Sequence, residues 1–175
     1  MSSSPIVLLD TGVVAAIFAV SKKGPHVSRE KEIWLESVRT LIETVSPKCL
    51  VRVPTPVCYE LMAMNQEWYD FISRSKNEVF RFSSYSISNT MLKKAAKYSF
   101  ETVCLGTDGK EQKMNTMDPL IAAYSLTSGH YLLTLNQHDF PESYFSVVET
   151  KVLVLSGKEA KKYRKLLYLL KPREV

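Results

Sequence analysis

Four acidic residues, distant from one another in the chain, each stand where an apolar run meets a turn or a helix start. They are Asp10 in IVLLDTG, Glu60 in PTPVCYELM, Asp118 in MDPLIAAYSL and Asp139 in LLTLNQHDF. Two carboxylates about 4 Å apart repel by roughly 4 kcal/mol at an effective dielectric of 20. Without a counter-charge, one of them takes up a proton. A chain that gathers several at one place generally gathers them around a metal. Hard oxygen donors with no accompanying histidine or cysteine cluster suit Mg2+ or Mn2+. Such an ion lowers the pKa of a bound water and offsets charge on a phosphate oxygen, and a second ion would stabilise the leaving oxygen. Phosphodiester hydrolysis is the natural reaction for that chemistry. Taken singly, each acid also has a plainer reading. Asp10 and Asp118 serve as helix caps, Asp139 as a turn residue and Glu60 as a solvated helix residue.

The elements around these acids decide between the two readings. Residues 6–9 (IVLL) form a short continuous apolar run, the signature of a buried parallel strand, and a short helix over 13–20 follows Asp10. Trp34, Val38, Leu41, Ile42 and Val45 trace one face of a helix over about 30–45. Residues 49–53 read as a second strand, and Thr55-Pro56 as the start of the helix that carries Glu60. VFRFSS (79–84) predicts a third strand. A helix over 88–104 follows, with Met91, Ala95 and Tyr98 on one face, and then a polar loop over 105–116. Asp118-Pro119 opens the next helix, which Gly129 stops. YLLTL (131–135) and VLVL (152–155) predict the fourth and fifth strands. A last helix over about 158–170 is expected from Tyr163, Leu166, Leu167 and Leu170.

Strands separated by helices imply an α/β fold with a mainly parallel sheet covered on both faces. In such sheets sites form beyond the carboxyl ends of the strands, and that edge could collect all four acids. The expected organisation is one domain over 1–157, with a basic amphipathic C-terminal helix over 158–175 packed on it.

The chain has 175 residues, and 45% of them are hydrophobic, enough for a full core. Its net charge of +5 is compatible with a polyanionic partner such as nucleic acid, or simply with surface lysine. Cys49, Cys58 and Cys104 show no ligand spacing, and their odd number argues against a disulfide framework. They read as small apolar core residues of a reduced, cytoplasmic protein. No apolar run has the length of a membrane span.

With the motifs in view, the chain resembles the PIN-domain ribonucleases, particularly the VapC-type toxins. IVLLDTGVVAAIF is similar to the opening of that family and PTPVCYELM to its glutamate helix. MDPLIAAYSLTSGHYLLTLNQHDF resembles D-x-x-I-A-A followed by L-x-T-x-N-x-x-D-F. The resemblance runs from Ile6 to Leu155. It implies a three-layer α/β/α sandwich and an endoribonuclease requiring Mg2+ or Mn2+, with the acidic tetrad on Asp10, Glu60, Asp118 and Asp139. It also implies accessory roles for Thr11, Thr134 and Asn136, for which strand-end capping is the competing reading. An RNA substrate, a small antitoxin protein masking the acidic edge, and a homodimer are the partners it suggests. The lengths of 21–32 and 105–116, and the added C-terminal element, depart from the compact members. They keep open a housekeeping RNA-processing nuclease, and a non-catalytic RNA- or protein-binding module on the same fold.

Lys110 and Lys113, with Lys22 and Lys23, lie in loops expected to flank the acids, where their charge would help hold RNA. Lys158, Lys161, Lys162 and Lys165 line the polar side of the expected C-terminal helix, either as backbone contacts for RNA or as a solvated face. His138 beside Asp139 reads as a loop histidine, and Trp34 and Trp68 as core residues.

Overall fold

A computed structural model describes residues 4–19, 36–38, 40, 41, 43, 44, 49–64, 66, 67, 81, 82, 87–101, 104, 105, 111, 112, 117–156 and 162–173. The central strand β1 (Ile6–Leu9) pairs in parallel with β2 (Leu50–Val53) on one side and with β6 (Tyr131–Thr134) on the other. Consecutive strand residues point to opposite faces. Val7, Leu8 and Leu9 are all essentially inaccessible, so both faces of the sheet are covered here. This is why the segment tolerates an unbroken apolar run instead of an alternating one.

Helix α1 (Thr11–Ala19) starts directly from β1, with the amides of Val13 and Val14 donating to the Asp10 carbonyl at 3.0 and 3.1 Å. Helix α2 (Thr55–Met64) follows β2, and its first turn hangs on the Pro54 carbonyl, which accepts from the Cys58 amide at 3.1 Å. Pro56 fits in that turn because its missing N–H would have no helical acceptor. Pro56, Val57, Cys58 and Leu61 form the buried side of α2.

Strand β3 (Arg81–Phe82) extends the sheet beyond β2. Helix α3 (Asn89–Glu101) is capped by Ser88, whose hydroxyl accepts from the Met91 amide at 3.2 Å. Its buried residues are Ala95 and Tyr98, the face expected from spacing. A short antiparallel pair, β4 (Cys104–Leu105) with β5 (Glu111–Gln112), occupies part of the stretch expected to be loop. Helix α4 (Met117–Ser128) is buried over Ile121–Ser125 and ends at Gly129, whose φ of 68° is the left-handed conformation glycine adopts most readily.

The C-terminal helix expected over 158–170 does not form. Residues Lys162–Pro172 are strand β8, inserted antiparallel between β6 and β7 (Phe145–Ser156). The sheet order is β3-β2-β1-β6-β8-β7, with the first four strands paired in parallel and β8 antiparallel to both of its neighbours. The difference has a physical reason. Leu167, Leu169 and Leu170 are all buried, on both faces of an interior strand, and such a strand shows no alternation. Its apolar positions then match helical spacing equally well. The final segment is therefore an interior strand of the same sheet and no appendage. β7 also starts seven residues before the expected 152, with a bulge between Val147 and Glu149.

Of the helix expected over 30–45, the described residues within 36–44 are helical, with Val38 and Leu41 buried as predicted. Trp34, Trp68, Lys22, Lys23, Lys110, Lys113, Lys158 and Lys161 lie outside the described residues. Cys58 is buried and Cys49 partly so, and neither is in a disulfide. Among the described residues, no helix is long and apolar enough to cross a membrane.

Candidate active site

The strand order reverses at β1, which has β2 on one side and β6 on the other. Such a switch point opens a crevice at the carboxyl ends of the strands. Asp10 is the residue after β1, and its amide prolongs the ladder to the Leu133 carbonyl at 3.0 Å. Asn136 and a 3-10 turn, Gln137–Asp139, follow β6 at the same edge. Glu60 enters from the second turn of α2, and Asp118 from the first turn of α4.

Hydrogen bonds link three of the acids in one chain. The Thr11 hydroxyl donates to Glu60 Oε2 at 2.5 Å, and the Thr11 amide donates to Asp10 Oδ1 at 2.7 Å. Thr134 Oγ1 donates to Asp10 Oδ2 at 2.7 Å and accepts from the Asn136 amide at 3.0 Å. Asn136 Nδ2 donates to Asp139 Oδ2 at 2.6 Å, while its Oδ1 caps the 3-10 turn by accepting from the His138 amide at 3.3 Å. Thr134 and Asn136 thus do both things expected of them in the alternative, capping local structure and holding a carboxylate, whereas Thr11 only holds carboxylates. Thr134 is fully buried, so the Asp10–Thr134 bond is shielded from competing water.

Asp118 differs from the rest. Its carboxylate receives no hydrogen bond from a described residue, and it sits inside the first turn of α4, not at the cap position expected for it. Burial, and then the charges of Asp139, Asp10 and Glu60, push its pKa up to about 7. Asp10 is raised to about 6, chiefly by burial, although Thr134 and the Thr11 amide favour its charged form; Asp139 and Glu60 add repulsion. Asp139 is raised by burial against the opposing effects of Asn136 and the neighbouring His138. Repulsion from the neighbouring acids thus bears on Asp118 and Asp10, and at Asp118 no donor among the described residues offsets it. All four acids therefore lie within electrostatic reach of one another.

One residue of this region carries no signal in the sequence. Tyr98, on α3, is buried and donates from its hydroxyl to the Asp139 carbonyl at 2.7 Å, anchoring the 3-10 turn from behind. Its helical spacing marked it as core only. His138 is exposed on the 3-10 turn, as befits a loop histidine.

The donor set is compatible with a hard divalent cation. It is all oxygen, it gathers at one sheet edge, and ionising it without a counter-ion is costly. A carboxylate offers about four lone-pair sites, so the hydrogen bonds to Asp10 and Asp139 leave acceptor capacity. Among the described residues, however, no three histidine, cysteine or acidic side chains already stand as a ready-made cage for a metal ion. Comparison of the chain with protein-family models, with curated proteins and with solved structures gives no match.

Proposed function

We propose that this protein is a metal-dependent endoribonuclease of PIN-like, three-layer α/β/α architecture. The observation that carries the reading is the meeting of Asp10, Glu60, Asp118 and Asp139 at the switch point of the sheet, with the pKa values of Asp10, Asp118 and Asp139 raised together. The motif resemblance around Asp118 and Asp139 supports it independently.

Asp10, Asp118 and Asp139 would hold Mg2+ or Mn2+, with Glu60 as a further ligand or as a group that positions water. When bound, the ion supplies positive charge to offset the phosphodiester and lowers the pKa of the attacking water. The chain's own contribution is positioning. Thr11 and Thr134 fix both oxygens of Asp10, Thr11 ties Glu60 to the same point, and Asn136 orients Asp139. Water adds to phosphorus, the P–O3′ bond breaks, and the 3′ oxygen takes up a proton. The products are a 5′ phosphate and a 3′ hydroxyl. As the toxin of a pair, the protein would be masked by a small antitoxin that places an arginine or lysine among the acids. A housekeeping RNA-processing role uses the same chemistry.

A second reading, a non-catalytic RNA- or protein-binding module, draws on the hydrogen bonds that Asp10 accepts at both oxygens, which give this carboxylate a structural role without a metal. Cleavage of single-stranded RNA in Mn2+, compared between the wild type, Asp10→Asn and Asp118→Asn, separates the two. Loss of cleavage in both variants supports the nuclease. Cleavage that survives both substitutions rejects this site, and binding without cleavage in all three favours the module.

A further inference from the structure

The strand register carries the β7–β8 hairpin past the acids. Tyr168 of β8 lies opposite Thr134, the last residue of β6, and residues 162–167 of β8 continue beyond it, paired with β7 alone. Residues 150–156 and 162–168 thus make a two-stranded arm at the carboxyl end of β6, the end that holds Asp10, Asn136 and Asp139. The two faces of the arm differ. Leu153 and Leu167 share one face and are buried. Side chains alternate along a strand, so Val152, Leu166 and Arg164 belong to the other face, and all three are exposed, Val152 by 52% and Leu166 by 41%. Thr150 and the half-buried Tyr168 continue that open face toward the sheet. There it joins the site. Asp10 prolongs the β1–β6 register to Thr134, whose hydroxyl it accepts. Asp10, Thr134, Tyr168 and Thr150 therefore form one row on one face, across four adjacent strands. The strands of the arm hold Lys151, Lys162, Arg164 and Lys165 and no acid. Arg164 and Lys165 are exposed, with no acidic partner among the described residues.

We propose that the open face of this arm is the path of a single-stranded RNA whose reacting phosphate lies at the four acids, with Tyr168 as a stacking platform and Arg164 as a phosphate contact. The inference rests on the nuclease reading and says how that site holds its substrate. A solvent-open sheet face that carries an aromatic ring and a cation suits single-stranded nucleic acid, with bases laid on the face and phosphate held by the cation. Continuity selects the occupant. A polynucleotide with one phosphate at the acids must run on over a neighbouring surface, and this one begins at Tyr168, next to Thr134. The Val152–Leu166 pair extends its apolar floor. From Asp10 to Arg164 is two strand spacings across and four residues along, about 10 Å and about 13 Å, hence about 16 Å in a flat sheet. That is four to five nucleotides at the roughly 3.4 Å rise of a stacked strand. Arg164 thus meets a phosphate outside the cleavage point, and Tyr168 a base between the two. The acids repel phosphate, and an arm with cations and no acid offsets that repulsion.

The test uses the full chain and a short fluorescein-labelled single-stranded RNA, with binding read by anisotropy in EDTA over a series of salt concentrations, well below each variant's unfolding midpoint. Arg164→Ala should weaken binding roughly fivefold to tenfold at low salt and flatten the slope of log K against log salt by about 0.7, the value for one phosphate of a single strand that is no longer neutralised. Tyr168→Leu should weaken binding roughly tenfold at every salt concentration with the slope kept, and Tyr168→Phe, which keeps the ring, should bind as the wild type does. Lys171→Ala removes a charge from the exposed far end of the same strand, about 23 Å from Arg164, and should change neither affinity nor slope. An equal loss in Lys171→Ala would reduce the effect to net charge and overturn the path. Wild-type affinity and slope in Arg164→Ala and Tyr168→Leu would overturn it too, and would give the Val152–Leu166 pair to a protein partner. Cleavage by Asp118→Asn at the wild-type rate would instead remove the nuclease reading, leaving the anisotropy result to judge the arm alone.

Discussion

Asp118→Asn should make the metal-free protein more stable at pH 8, although it alters a residue of the proposed active centre. The carboxyl is raised from 3.8 to about 7 by burial and by three neighbouring acids. At about 1.36 kcal/mol per pH unit, the full shift corresponds to on the order of 4 kcal/mol. Because Asp118 is only partly buried, water screens part of this, and a gain of about 2–4 kcal/mol is expected. The sign follows from linkage. The folded-state pKa lies above the unfolded one, so the favourable contribution is complete below about pH 3.8 and is lost as pH rises through 7. Asparagine keeps the shape and never ionises, so the variant escapes that loss. Urea denaturation followed by circular dichroism, in EDTA at pH 4.5 and pH 8, measures it. The variant should exceed the wild type clearly at pH 8, and most of the difference should be gone at pH 4.5. A variant no more stable than the wild type at pH 8, or a gain that does not change with pH, would refute the electrostatic account of the site.

Three further outcomes follow from the same structure. At pH 8, Mg2+ or Mn2+ at a hundred times its Kd should stabilise the wild type by about 2.7 kcal/mol and Asp118→Asn by clearly less; a titration that moves neither unfolding midpoint counts against metal binding. Thr134→Val removes a buried donor to Asp10 and the acceptor of the Asn136 amide. It should cost about 1–3 kcal/mol at pH 8 and less at pH 5, where Asp10, with a pKa of about 6, is mostly neutral; an equal loss at both pH values would show that packing is responsible. Strand β7 is the sheet's outer edge and exposes Val147, Val148 and Val152, protected by a bulge and by Glu149 and Lys151. Lys151→Val should therefore promote association, seen as concentration-dependent light scattering, and a strictly monodisperse variant would speak against that protective role.

Local structure is what the residues dictate without help from the rest of the fold. The apolar run ending at Asp10, Thr55-Pro56 before Glu60, Asp118-Pro119 and the stop at Gly129 all mark element boundaries through neighbouring residues, and the elements stand there. The carboxyl-edge placement of the acids followed from alternating strands and helices. Which strands became neighbours was settled only in three dimensions. Thr134 donates to Asp10 across 124 positions because β1 and β6 adjoin, and Tyr98 reaches Asp139 because α3 packs behind the 3-10 turn. Neither contact leaves a mark on local composition. The final segment departed from expectation for a related reason. LLYLL satisfies a helical stripe and a doubly buried strand alike, and only the place between β6 and β7 selects the strand. Periodicity reports which faces are buried, and a stretch with buried leucines on both faces, Leu167 and Leu169 on one and Leu170 on the other, shows no alternation to report.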